Sequence, residues 1–126
     1  MITDRTKRER KNYDLEERTF KFANDVRSFI RQLQKSIGNI EDAKQLIRSS
    51  GSVGANYIEA NEALSRKDFL LRIKISRKEA KESRYWLRLL DVNNDDELEQ
   101  HRATLIQEAQ ELTNIFGAIL RKSESA

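Results

Sequence analysis

From Phe69 to Leu90 the apolar and small residues Phe69, Ile73, Ser76, Ala80, Ser83, Leu87 and Leu90 follow one another at spacings of four and three without a slip. Only an α-helix gathers such positions on one face, because its 3.6-residue turn returns a side chain to the same side every three or four residues. Two serines and an alanine keep that seam narrow, so whatever packs on it must come close. The chain has no proline and four glycines in 126 residues, which leaves little to stop a helix or open a strand.

The same period recurs on both sides. Leu15, Thr19, Phe22, Val26, Phe29 and Leu33 mark a first helix, with Asp14 and Glu17 spaced as a capping box. Ser36, Gly38 and Asn39 supply a break. Ile40, Ala43, Leu46, Val53 and Tyr57 then mark a second helix, whose centre, SSGSVGA, would be a loop by propensity alone. The apolar phase holds across it, so the helix is continued, with the small residues admitting a close neighbour. Ser65 and Asp68 form a second capping box and open the third helix. After the acidic turn DVNNDDE, Asn94 and Glu97 cap a fourth, carrying Leu98, Leu105, Ala109, Leu112, Phe116 and Ile119.

The pattern predicts helices near 14–35, 40–63, 66–91 and 95–122. A basic flexible arm over 1–13 precedes them, and a frayed end over 123–126 follows. Short connections make sequential helices antiparallel, so the expected class is all-α: an antiparallel, up-down four-helix bundle over 14–122. No apolar run approaches the roughly 20 residues of a membrane span, and no apolar segment follows the basic N-terminus as in a secretory signal. With no cysteine, disulfides and thiolate metal sites are excluded, and a reducing, cytoplasmic setting is expected.

Net charge is only +3, but residues 65–90 hold nine Lys or Arg against three acids. On the third helix Lys67, Lys74, Lys78, Lys81, Tyr85 and Arg88 fall in one band away from the seam, bordered by Arg66, Arg77 and Arg84. Lys67, Lys74, Lys78, Lys81, Arg84 and Arg88, with Tyr85 as a stacking candidate, form the expected nucleic-acid-binding face. Lysine-dominated contacts favour phosphate over base recognition. The competing reading is a protein–protein adaptor whose basic face meets an acidic partner. A further strip of Leu71, Ile75, Trp86 and Leu89 is not needed by the seam and is the expected oligomer interface.

Nothing marks catalysis. One histidine, no cysteine and no nucleophile–base spacing leave no roles to assign, so the expectation is no enzyme, no metal and no cofactor. Asn56 and Glu59 share a helix face, with Asn61 and Glu62 near its end, but bonding to neighbouring helix ends accounts for them better than ligation does. His101 sits one turn from Leu98 and Leu105 and reads as a half-buried edge residue.

QLIRSSGSVGANYIEA, with Arg48, Ser49, Ser52, Asn56 and Glu59, and KDFLLRIKISRKEAKESRYWL after a short loop together resemble a known family. It comprises the small bacterial four-helix-bundle proteins encoded within intervening sequences of large-subunit ribosomal RNA genes. The accessory variability determinant of diversity-generating retroelements is a relative. The likeness spans nearly the whole chain in helix order and is concentrated over 45–90. Asn61 stands where the family usually has a glycine at the end of the second helix. The resemblance implies a ring-like homopentamer. For the retroelement relative it also implies binding to RNA or DNA and to a reverse transcriptase.

Overall fold

The computed structural model describes the backbone of residues 4–124 and the side chains of 14–124. The side chains of the basic arm expected over 1–13 lie outside the described residues, as do 125–126. Four helices are present: α1 (Asp4–Arg31), α2 (Ile37–Asn61), α3 (Arg66–Leu89) and α4 (Asp96–Glu124). Among the described residues there is no strand, and no helix is long and apolar enough to cross a membrane.

The apolar stripes fill one core. Phe22, Val26 and Phe29 from α1 meet Leu46, Val53 and Tyr57 from α2, Ile73 and Leu87 from α3, and Leu105, Leu112 and Phe116 from α4. Each large side chain withdrawn from water in this way contributes about 1.5–3 kcal/mol. α1 and α3 each pack against both α2 and α4; the α2–α3 seam is the most extensive and α1–α4 the thinnest.

α2 runs unbroken through SSGSVGA, and its small residues divide between two neighbours. The serines serve α3. Ser49 Oγ and Ser83 Oγ share a hydrogen bond at 2.9 Å, and each also lies within reach of a carbonyl of its own helix, Leu46 at 3.3 Å and Glu79 at 2.9 Å. Ser76 Oγ donates to the Val53 carbonyl at 3.0 Å. All three serines are fully buried, and buried hydroxyls without partners would destabilise the seam they complete. The glycines serve α1. A Cβ at Gly54 would meet Thr19 Oγ1 at 2.8 Å, and one at Gly51 would meet Arg27 Nη2 at 3.4 Å. Contacts between α2 and α3 run in reverse order along the two helices, from Asn39 with Asp91 through Ser49 with Ser83 to Asn56 with Arg72.

Helix ends depart from expectation where loop chemistry decides them. α1 stops at Arg31, four residues early, because Ser36 takes an extended conformation and caps α2 by accepting from the Asn39 N–H. Asn39, expected only as a breaker, is buried and clasps the chain. Its amide nitrogen donates to the carbonyls of Gln34 and Asp91 at 3.0 and 2.9 Å, and its oxygen accepts from the Asp91 N–H at 2.9 Å. Ser65 caps α3 as expected. At α4 the cap is Asp95, which accepts from the Leu98 N–H at 3.0 Å, and not Asn94. Asn93 and Asn94 instead take left-handed conformations (φ 55° and 58°), which asparagine tolerates better than most residues.

Candidate nucleic-acid interface

The buried seam of α3 fixes its rotation and so decides what faces outward. Ile73, Ser76, Ala80, Ser83 and Leu87 are buried. Lys67, Lys74, Lys78, Lys81, Tyr85 and Arg88 are exposed, and Arg84 is half-buried. The sequence-based face is thus brought together on one helix. Within it only Lys74 has an acidic neighbour, its Nζ lying 3.9 Å from Glu124 at the end of α4. Among the described residues Lys67, Lys78, Lys81, Arg84 and Arg88 make no ion pair.

The acids of α3 are turned elsewhere. Asp68 sits in the first turn, where a carboxylate complements the helix dipole. Glu79 and Glu82 reach across to α2 and share Arg48, whose guanidinium lies 3.1 Å from Glu79 and 2.5 Å from Glu82. Glu79 is only 7% exposed. Burial pushes its carboxyl above the usual range, with the Arg48 charge offsetting only part. Burial would raise Glu82 as well, but its hydrogen bond to Arg48 and that residue's charge leave it below the usual range. Arg48 is itself raised, first by its hydrogen bond to Glu82. Glu79 looked like a surface residue in the sequence, because its partner is on another helix.

The expected oligomer strip is brought together less evenly. Leu71 and Leu89 are 53% and 49% exposed, whereas Ile75 and Trp86 are half-buried and Trp86 packs against the core. Tyr85, 55% exposed, meets the Trp86 ring edge-on at 5.1 Å. The Trp86 indole N–H is buried without a well-formed hydrogen bond, and Glu82 is the carboxylate near enough to feel it.

On its other flank α3 brings two arginines into play that the wheel of one helix could not pair. Arg77 lies across α4 at Gly117, where Arg121 also folds back. A Cβ at Gly117 would meet Arg121 Nη1 at 3.3 Å and Arg77 Nε at 3.6 Å. The sequence places Arg77 only at the border of the basic band. Two turns along α3, the Arg84 Nε is buried without a hydrogen-bond partner.

The remaining candidates have structural work. Asn56 accepts from Arg72 at 3.2 Å and donates to the Ser52 carbonyl at 2.9 Å. Glu59 is exposed beside it. His101 is half-buried, edge-on to Phe29 at 5.2 Å. Among the described residues no three His, Asp or Glu side chains converge as a metal site would need.

With this geometry in place, comparison with known proteins is informative. A family model described as 23S rRNA-intervening sequence protein matches residues 11–118. No curated protein matches the chain. Among solved structures, a similar one comes from Bacteroides thetaiotaomicron VPI-5482, described as a protein with unknown function from the S23 ribosomal protein family. It aligns with a TM-score of 0.70 at 27% identity, covering 83% of this chain and 96% of that one.

Proposed function

The chain belongs to the 23S rRNA-intervening sequence protein family, and from that premise we propose that it is a non-enzymatic, cytoplasmic module that binds nucleic acid through the outward face of α3. One observation carries this reading: α3 sends Glu79 and Glu82 to Arg48 on α2 and leaves Lys67, Lys74, Lys78, Lys81 and Arg88 outward with almost no counter-charge. A structural surface would spread paired charges, whereas an uncompensated row of cations attracts phosphates and releases their counterions. Asn56 is engaged by Arg72 and the Ser52 carbonyl, so the reading gives it a structural role.

We read the architecture as an up-down bundle, supported by the reversed order of contacts across α2–α3, and the working form as a ring-like homo-oligomer. A closed ring joins two different patches of each subunit, and two separate exposed apolar strips are available. Leu71 and Leu89 lie on α3, flanked by half-buried Ile75 and Trp86. Ile40, Ile47 and Ile58 lie on α2, and Ile40 and Ile47 line a groove with Ile30 of α1 and Leu33 just beyond its end. The number five follows the family resemblance. Repetition around a ring would multiply individually weak phosphate contacts through avidity. Light scattering that gives a monomer mass at micromolar concentration would remove the ring.

The binding test is anisotropy with generic single-stranded RNA and double-stranded DNA across a salt series. Affinity should fall steeply between about 50 and 200 mM salt. Reversing Lys74, Lys78 and Lys81 to Glu should abolish it and leave the oligomer intact. If the wild type binds neither probe at low salt, or the triple variant binds as well as wild type, the face is not a nucleic-acid site and an acidic protein partner becomes the better reading.

A further inference from the structure

We propose that Arg77 and Arg121, held over Gly117 in the α3–α4 groove, form a specific phosphodiester-binding site, extended along α3 by Arg84. This deepens the nucleic-acid reading above and rests on it: the exposed lysines attract the polyanion, and this arginine site grips it.

Three observations converge. First, two guanidiniums approach one point of the α4 backbone closely enough that Arg77 Nε and Arg121 Nη1 lie no more than about 7 Å apart, a separation at which like charges repel unless an anion joins them. Second, several carboxylates of α3 and α4 pair with other cations: Glu79 and Glu82 with Arg48, Glu108 and Glu111 with Arg18, and Glu124 with Lys74. Among the described residues neither Arg77 nor Arg121 makes an ion pair. Third, glycine is an unfavourable residue in the middle of a helix, yet Gly117 occupies the point where both side chains converge, and a Cβ there would press on Arg121 and touch Arg77.

The geometry selects phosphate. Guanidinium presents a planar fork of donors that matches two phosphate oxygens, and two forks facing one gap can share a single anion. Arg84 lies seven residues from Arg77, about 10.5 Å along the same side of α3, so it can take up a neighbouring phosphate of the same strand. Arg84 is half-buried and, among the described residues, makes no ion pair.

The test compares R77Q/R121Q with wild type, R77K/R121K and the lysine triple reversal. Probes are generic single-stranded RNA, double-stranded DNA and polyglutamate of matched charge, with melting and light scattering as controls. R77Q/R121Q should lose about tenfold or more in nucleic-acid affinity, and its salt slope should fall by about one to two. Fold and mass should be unchanged. R77K/R121K should recover the salt slope but not the full affinity, because lysine keeps the charge and loses the fork. Unchanged binding by R77Q/R121Q, with the lysine reversal still abolishing it, would overturn the arginine site and leave the basic face standing. No binding by wild type would remove both. Polyglutamate binding as tight as RNA at equal salt would overturn the assignment to phosphate.

Discussion

Where α3 meets α2, Arg48 is met by two carboxylates from the facing helix, while Arg72 is met by the Asn56 amide oxygen. Where α3 meets α4, two arginines, Arg77 and Arg121, converge and, among the described residues, meet no carboxylate. Both flanks belong to one helix, and both are lined by small residues that bring backbones together. On the α2 side the small residues are serines whose buried hydroxyls find hydrogen-bond partners. On the α4 side the small residue is a glycine that opens space for charge. Charge paired across a seam serves the fold, whereas unpaired cations on an exposed flank leave a positive potential that favours anions.

The contrast is broken most severely at the tight seam. Ser83→Leu removes hydrogen bonds to Ser49 and Glu79 and forces a larger side chain into a site with no free volume. Overpacking and the lost bonds together should lower stability by about 3 kcal/mol, seen as an earlier urea midpoint. The equivalent change on the outer face, Lys81→Leu, should stay within about 0.5 kcal/mol. If the two variants melt alike, α3 does not present these opposite faces.

Removing the charge of the neutralised flank comes next. Arg48→Met leaves Glu79 buried beside Glu82 with no cation. Because Arg48 is itself half-exposed, the loss should be about 1–2 kcal/mol, below the 3–5 kcal/mol typical of breaking a fully buried pair. The pH dependence separates the two carboxylates. Glu82 in the wild type titrates below its ordinary value of 4.5, so its stabilising contribution is full above that value and is lost as pH falls through the folded pKa. Glu79 titrates above 4.5, so the folded state takes its proton first, and acidification from that folded pKa toward 4.5 adds stability. In Arg48→Met the second behaviour dominates. Stability measured from neutral pH down to about 4.5 should rise in the variant relative to wild type.

The helices and the α3 seam were legible because a 3.6-residue period is local: each residue's face follows from its own neighbours. The same locality explains what was not legible. Glu79 sits at the edge of the seam and reads as surface until Arg48 is brought to it from α2. Asn39 reads as a helix breaker, yet its side chain joins Gln34 to Asp91 across a long stretch of chain. The basic face of α3 could be drawn from one helix wheel, so Lys67, Lys78, Lys81 and Arg88 fell where expected. The Arg77–Arg121 pair could not, since it requires the register between α3 and α4. Trp86 and Tyr85 are adjacent, and their depth depends on how α3 tilts against its neighbours, which no periodicity reports.

The smallest effect sharpens the comparison most, because stability and binding should move in opposite directions. Gly117→Ala replaces a glycine inside α4, and helix propensity alone should stabilise by about 0.8–1 kcal/mol. The new Cβ would lie 3.3 Å from the far end of Arg121 and 3.6 Å from Arg77 Nε. Both are flexible, largely solvent-facing side chains that can swing away, so most of the gain should survive as a slightly higher melting temperature. Gly54→Ala is the control from the packed side. Its Cβ would meet Thr19 Oγ1 at 2.8 Å and Thr19 Cβ at 3.2 Å, on a fully buried, β-branched residue that cannot move aside, so the propensity gain should be cancelled or reversed. In Gly117→Ala the displaced guanidiniums no longer share one gap, and nucleic-acid affinity should drop severalfold with net charge unchanged. A variant that is both more stable and as tightly binding as wild type would mean that Gly117 serves only helix packing and that the open flank does not depend on it.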